Sequence, residues 1–195
     1  METHFSRQAR ERPLRKDQHD FIVGSLLGDA TLLRTTAGWC FRVHHGLTQQ
    51  WYVEYKHRLL EEYVRTPPRI TAKACYFRTI THPEFSIYRE RFYRSNTKIV
   101  PIDLLRDGLT DFGLAVWIMD DGSADRGAVR LNTQSFSYDE NCNLTGLLRA
   151  RFGLEARVNR DKAGYRLRIA TGSRRRLLEV VGPHLHPKMA YKLSI

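Results

Sequence analysis

Two stretches of this chain abandon the usual mixture of apolar and polar positions. Ile22-Val23-Gly24-Ser25-Leu26-Leu27 and Leu114-Ala115-Val116-Trp117-Ile118-Met119 are apolar or small throughout, and each runs into acid: Gly28-Asp29-Ala30 in the first, Asp120-Asp121-Gly122 in the second. A helix that is apolar on every side is a buried one. Asp17 offers a start to the first, Thr110 and Asp111 offer one to the second, and Gly122 offers a stop. The pattern therefore predicts two short, wholly buried helices. Gly24 and Gly28 are four apart and share one face, where the missing side chains allow a second helix to approach closely.

Elsewhere the periodicities are those of half-buried elements. Thr31 to Leu47 mixes β-branched and aromatic residues around Thr35-Thr36-Ala37-Gly38 and predicts a hairpin. Tyr52, Tyr55, Leu59, Leu60 and Tyr63 fall at helical spacing within 49–63, which predicts a surface amphipathic helix ended by Pro67-Pro68. A second strand pair is expected over 69–81, although its alternation slips near Tyr76-Phe77, then a helix over 83–93 and a link over 95–107. The order then repeats: a strand over 128–136, a helix over 137–152, and a hairpin around Asp161-Lys162-Ala163-Gly164. In that hairpin Ala156, Val158, Leu167 and Ile169 form one alternating set and Arg157, Asn159, Arg166 and Arg168 the other. A ribbon with an arginine face suits a DNA groove, because arginine bonds guanine O6 and N7 through two donors, and it equally suits a solvated sheet face. Arg174-Arg175-Arg176 leads into a last core helix, as phosphate contact or solvated charge.

Asp29 and Asp121 stand 92 residues apart in a chain of 195, so the two apolar-to-acid stretches read as an internal repeat. Lys98 lies 69 residues after Asp29 and Lys192 lies 71 after Asp121, each beside an apolar stretch. Each half thus begins with a carboxylate and closes with a lysine. A carboxylate at a helix C-terminus is disfavoured by roughly 0.3–1 kcal/mol, and a cation placed there reverses the sign. Two helices packed in parallel bring both acids to one end, where divalent cations make the arrangement tolerable; matched lysines there are natural partners of a phosphate.

Composition narrows the partner. With 32 Lys+Arg against 21 Asp+Glu, the net charge of +11 attracts polyanions, of which nucleic acid is the commonest. Mean hydropathy of −0.48 and the lack of any apolar run near the ~18 residues of a membrane span predict a soluble protein without a membrane partner. Met1 to Lys16 is polar, without the apolar centre of a secretory signal, and residues 1–13 are expected to be a flexible basic tail. Cys40, Cys75 and Cys142 are odd in number and scattered, which suits free thiols in a reducing compartment. No Cys-x-x-Cys pair accompanies His44-His45 or His184-x-His186, which argues against structural zinc.

The paired stretches resemble the motifs of LAGLIDADG homing endonucleases of the single-chain class with two copies, from about Gln18 to Leu193. Leu109-Thr110, Leu131-Asn132-Thr133-Gln134-Ser135-Phe136, His82-Pro83, Phe92-Tyr93, Lys98-Ile99-Val100-Pro101, Pro187 and Met189-Ala190-Tyr191-Lys192-Leu193 are similar to the subgroup containing the yeast mitochondrial ribosomal-intron endonuclease. Two positions depart: the third motif residue is Gly24 in one copy but Val116 in the other, and the closing glycine is Ala30 in the first.

The resemblance implies an α+β fold of two pseudo-symmetric αββαββα halves, 14–101 and 102–195. Their antiparallel strands form a saddle straddling DNA, with the motif helices at the interface. It implies a monomeric, intron-encoded DNA endonuclease that makes Mg²⁺-dependent double-strand breaks with short 3′ overhangs; Mn²⁺ is expected to substitute. An intron RNA maturase, or a non-cleaving DNA-binding protein of the same fold, is the alternative, and host intron RNA a further partner. Asp29 and Asp121 are the implied metal ligands and catalytic acids, with the backbone of Gly28 and Asp120 as further ligands. Asp120 is either a support for the metal site or a helix-contact residue. Lys98 and Lys192 neutralise charge or position water; Gln134, with His45 as its rough counterpart, holds water near the metal. Arg42, Lys73, Arg78, Arg130, Arg157, Asn159, Arg166 and Arg168 are the expected DNA contacts. A bacterial or archaeal cytoplasm or an organelle matrix fits equally well as the setting.

Overall fold

The computed structural model describes residues 3–193. Helix α1 (His4–Glu11) is followed by α2 (Lys16–Leu27), which carries the first apolar stretch, and then by β1 (Thr31–Thr35), β2 (Gly38–Gly46), α3 (Gln50–Leu59), β3 (Arg69–Ile70), β4 (Ala74–Arg78) and α4 (Pro83–Phe92). A two-stranded ribbon, β5 (Tyr93–Arg94) with β6 (Thr97–Lys98), and α5 (Ile102–Gly108) lead to the second series. That series is α6 (Asp111–Asp121), β7 (Gly122–Asp125), β8 (Ala128–Leu131), α7 (Tyr138–Phe152), β9 (Ala156–Asp161), β10 (Gly164–Ile169) and α8 (Arg174–Val181), closed by a 3-10 segment over Pro187–Leu193. The repeated order helix, two strands, helix, two strands, helix is the predicted one.

Two compact units result. Among the described residues, one contains 3–19 together with Asp29–Arg91; the other contains Asp20–Gly28 and 92–193. Packing, not chain order, sets this division, because Asp20–Gly28 lies against α6.

In the first unit the strands form an antiparallel sheet in the order β1-β2-β4-β3. Leu32, Phe41, Val43, Cys75 and Phe77 face the core, covered by Tyr52 and Val53 of α3 and Phe85 of α4. The slipped alternation over 69–81 has a cause: β3 is only two residues long, and the turn closed by Thr71 N donating to Ala74 O leaves Ile70 57% exposed while Cys75 and Phe77 are buried. Residues 4–11, expected to be a flexible tail, are helical. Thr3 caps α1 by accepting from Ser6 N, Ala9 is buried, and Arg10 donates to the Thr81 hydroxyl at 2.7 Å.

The second unit repeats the strand order as β7-β8-β10-β9. Its Leu131, Leu167 and Ile169 are buried, and the register pairs Leu167 with Val158 and Ile169 with Ala156, so the predicted aliphatic set shares one face. Helix α7 begins with a capping box: the Ser137 hydroxyl accepts from Glu140 N while Glu140 accepts from Ser137 N. The other Glu140 oxygen accepts from Val100 N, tying the link to this helix. The strand expected over 128–136 stops at Leu131, since Thr133 and Phe136 close turns on Leu131 O and Thr133 O.

Candidate active site

The site is built on the close approach of Asp20–Gly28 to α6. Thr110 caps α6 by accepting from Gly113 N, and every residue from Gly113 to Asp120 is buried. A Cβ placed on Gly24 would stand 2.2 Å from Gly113 O and 2.9 Å from the Val116 Cβ; one placed on Gly28 would stand 2.5 Å from the Asp120 Cβ. The glycine missing at Val116 is therefore compensated across the contact, where Val116 fills the space that Gly24 leaves. Contacts advance together along both segments, 24 on 113 and 116, then 28 on 120, so the helices run parallel as expected. Asp120 packs against Gly28 in this contact.

Both lysines return to the same two points. Lys98, at the end of β6, donates from Nζ to Gly28 O at 2.9 Å; Lys192, in the segment 187–193, donates from Nζ to Asp120 O at 2.7 Å. Gly28 and Asp120 are the residues immediately before Asp29 and Asp121, so each half docks its lysine on the carbonyl preceding its acid. The bonds place a cation at each helix C-terminus, the favourable sign of the dipole term. They also mean that the two carbonyls named as further metal ligands accept from ammonium groups. Lys192 is 6% exposed, Lys98 and Asp121 are half-buried, and Asp29 is exposed.

In the first unit His45 is buried on β2, with Nδ1 3.6 Å from the Asp29 Oδ2. On its other side Lys56 Nζ lies 3.4 Å from Nε2. Lys56, wholly buried in α3, was not legible as a site residue, since a lysine on an amphipathic helix reads as solvent-facing. Gln134 points elsewhere: its amide donates to Asp161 Oδ2 at 3.3 Å.

The basic faces of the two sheets differ. In the first unit Arg42 pairs in register with Arg78, and Arg42 lies 5.3 Å from the centre of the Tyr76 ring. They line a groove of about 820 Å³ together with Arg10, Arg65 and Arg69, three arginines that the strand pattern had not singled out. Lys73 is exposed in the turn between β3 and β4. In the second unit Arg168 pairs with Arg130 and Arg157, and Arg166 with Asn159, so the predicted polar set also shares a face. Here carboxylates intervene: Arg168 Nε donates to Asp125 Oδ2 at 2.9 Å, and Arg166 Nε donates to Asp161 Oδ2 at 2.6 Å. The guanidinium of Arg168 holds the Asp125 carboxyl below its usual range, and that of Arg166 does the same to Asp161. Depressed values mean that both pairings persist through the ordinary carboxylate range and are lost only as pH falls below it. Arg174 and Arg176 donate to Leu193 O and Phe152 O, which gives that arginine run a structural use.

The family model for LAGLIDADG DNA endonucleases matches residues 19–177. The chain belongs to the LAGLIDADG DNA endonuclease family. Among curated relatives of this LAGLIDADG protein, a probable intron-encoded DNA endonuclease of Mycosarcoma maydis is 32% identical over 62% of this chain and 93% of its own. A cytochrome b mRNA maturase of Debaryomyces hansenii is 27% identical over 94% of this chain and 76% of its own. The homing endonuclease I-WcaI, solved bound to its DNA recognition sequence, superposes with a TM-score of 0.89 at 25% identity, covering 97% of this chain and 90% of that one. The LAGLIDADG chain thus has the mixed, antiparallel fold of homing endonucleases, and no helix among its described residues is long and apolar enough to cross a membrane.

Proposed function

We propose that this chain is a monomeric, intron-encoded homing endonuclease that breaks both strands of a specific duplex DNA site, leaving short 3′ overhangs. The observation that carries the reading is the duplicated lysine bond, Lys98 to Gly28 O and Lys192 to Asp120 O, each beside an acid. Beyond the favourable dipole term, the placing of each ammonium beside an acid serves cleavage rather than binding. Phosphodiester hydrolysis requires an activated water, neutralisation of the charge that builds on phosphorus, and stabilisation of the departing 3′ oxygen. Asp29 and Asp121 offer hard oxygen donors, one per half, which fit Mg²⁺ or Mn²⁺ rather than zinc. A divalent ion held there would lower the pKa of its water and stabilise the leaving oxygen. Lys98 and Lys192, anchored on the backbone, place one ammonium per DNA strand against the developing charge, and His45 is positioned to orient water near Asp29. Arg42, Arg69 and Arg78 in one unit and Arg130, Arg157, Arg166 and Arg168 in the other supply groove and phosphate contacts.

The test is Mg²⁺-dependent linearisation of a plasmid carrying the intronless insertion site of the host gene, abolished by chelator and restored by Mn²⁺. Lys98→Met and Lys192→Met are each expected to slow cleavage roughly a hundredfold, the scale of losing one electrostatic donor at a transition state. A chain that leaves the plasmid intact yet binds and folds its host intron RNA would overturn the proposal in favour of the maturase reading, to which the Debaryomyces relative lends support.

The carboxylates among the arginines give a second expectation. Asp161→Asn removes a negative charge and frees Arg166, so binding to unrelated duplex should tighten several-fold at low salt and fall more steeply as salt rises. Fluorescence anisotropy across a salt series reads both effects.

A further inference from the structure

From the surroundings of His45 we infer that Lys56 is a positioning residue of the Asp29 half-site: its ammonium fixes the tautomer and orientation of His45, and through His45 the cleavage of one DNA strand. The inference rests on the endonuclease reading for its consequence, but its geometry lies entirely within the first unit. Lys56 and Tyr52 are wholly buried, on the α3 face that packs against β2. The ammonium lies 4.6 Å from the centre of the Tyr52 ring, which also packs against the His45 imidazole at 5.2 Å between ring centres. Nζ then meets His45 Nε2 at 3.4 Å, and His45 Nδ1 faces Asp29 Oδ2 at 3.6 Å.

An ammonium has donors and no acceptor, so the nitrogen it meets must present a lone pair. In the neutral ring the proton then sits on Nδ1, the atom directed at Asp29. The contact with Lys56 holds the lone pair on Nε2. A buried ammonium is costly unless partnered, and an apolar side chain would fill the same space between α3 and β2 more cheaply. Lysine at this position brings its charge to His45 Nε2. Groups that orient a residue at a metal or reaction site in this way commonly change activity 10- to 100-fold when removed, on the order seen for histidine-orienting partners.

The test uses the full chain and an end-labelled duplex carrying its target site, with the cutting rate of each strand followed separately in Mg²⁺. Lys56→Met should slow one strand roughly 10- to 100-fold relative to the other. His45→Leu should slow the same strand, the double variant should be no slower than the worse single one, and target affinity in chelator should stay within about twofold. His45→Gln, whose amide can accept from Lys56 and donate toward Asp29, should recover most of the rate. Equal slowing of both strands, additive losses, or unchanged rates would overturn the assignment. A second readout needs no cleavage: imidazole ¹⁵N shifts of the folded protein should report His45 with the proton on Nδ1, and Lys56→Met should move the Nε2 shift as the ammonium contact is lost. Finding the proton on Nε2 in the unaltered chain sinks the inference whatever the DNA assays give. A chain that cuts nothing but shows the Nδ1 tautomer would instead count against the endonuclease reading alone.

Discussion

Asp121→Asn is expected to bind its target as tightly as the unaltered chain, to melt at the same temperature or slightly higher, and to lose double-strand cleavage to below roughly one part in a hundred. The substitution preserves shape and removes a charge from a half-buried position at the end of α6. That charge opposes the helix dipole at a cost of about 0.3–1 kcal/mol, so its loss relieves the fold. The same charge is what a divalent ion would need, and losing a ligand costs at least the hundredfold typical of a single electrostatic contact to a transition state. Asp29→Asn should behave alike, from an exposed position. Plasmid cleavage, anisotropy in chelator and thermal melting separate the outcomes. A parallel fall in stability, binding and cutting would show the acids to be structural, and full cleavage by either variant would remove that acid from the catalytic machinery.

The other large effect belongs to Gly24. Alanine for glycine inside a helix ordinarily stabilises by about 0.5–1 kcal/mol, because the unfolded chain loses freedom. Here the sign reverses. The added methyl would fall 2.2 Å from Gly113 O, a backbone atom on a buried helix that cannot swing aside, and 2.9 Å from the Val116 Cβ. Overpacking of this kind costs about 1–3 kcal/mol. At roughly 2–4 °C per kcal/mol for a chain of this size, Gly24→Ala should melt some 2–12 °C lower. Pairing it with Val116→Gly opens space beside the methyl but leaves Gly113 O in place, so recovery should be partial. A Gly24→Ala protein that melts higher than the parent would mean that the helices do not pack as described. At Gly146 of α7 a Cβ would meet no neighbouring atom within 4 Å, so Gly146→Ala should show the ordinary stabilising sign and serves as the control.

Much of this was readable from residue order, and the reason differs from element to element. Helix α6 was visible because cap, apolar run and stop lie within a dozen residues of one another. The ribbon β9-β10 was visible because its two faces alternate strictly about a single turn, and Arg157 with Arg168 and Val158 with Leu167 emerged as register partners. Lys98 and Lys192 were found only through the repeat, since neither lysine stands out from its neighbours. Where local signals misled, longer-range contacts had decided the matter. A basic N-terminal segment became α1 because Arg10 reaches Thr81, 71 residues away. Ile70 turned outward because β3 is too short to carry the alternation to the sheet edge.

Residue order by itself determined the repeated order of helix, strand pair, helix, strand pair, helix, the two buried motif helices and the repeat spacing that singles out two acids and two lysines, because each depends on periodicity, capping or spacing along the chain. Only the tertiary structure decided what those lysines bond to, that Asp120 packs on Gly28, that Asp125 and Asp161 hold the arginines of one sheet, and that Lys56 is buried against His45. Those facts turn on which surfaces meet. A charged side chain on a helix carries no local mark of whether another element will cover it, so burial and hydrogen-bond partnership come into being only when the chain closes on itself.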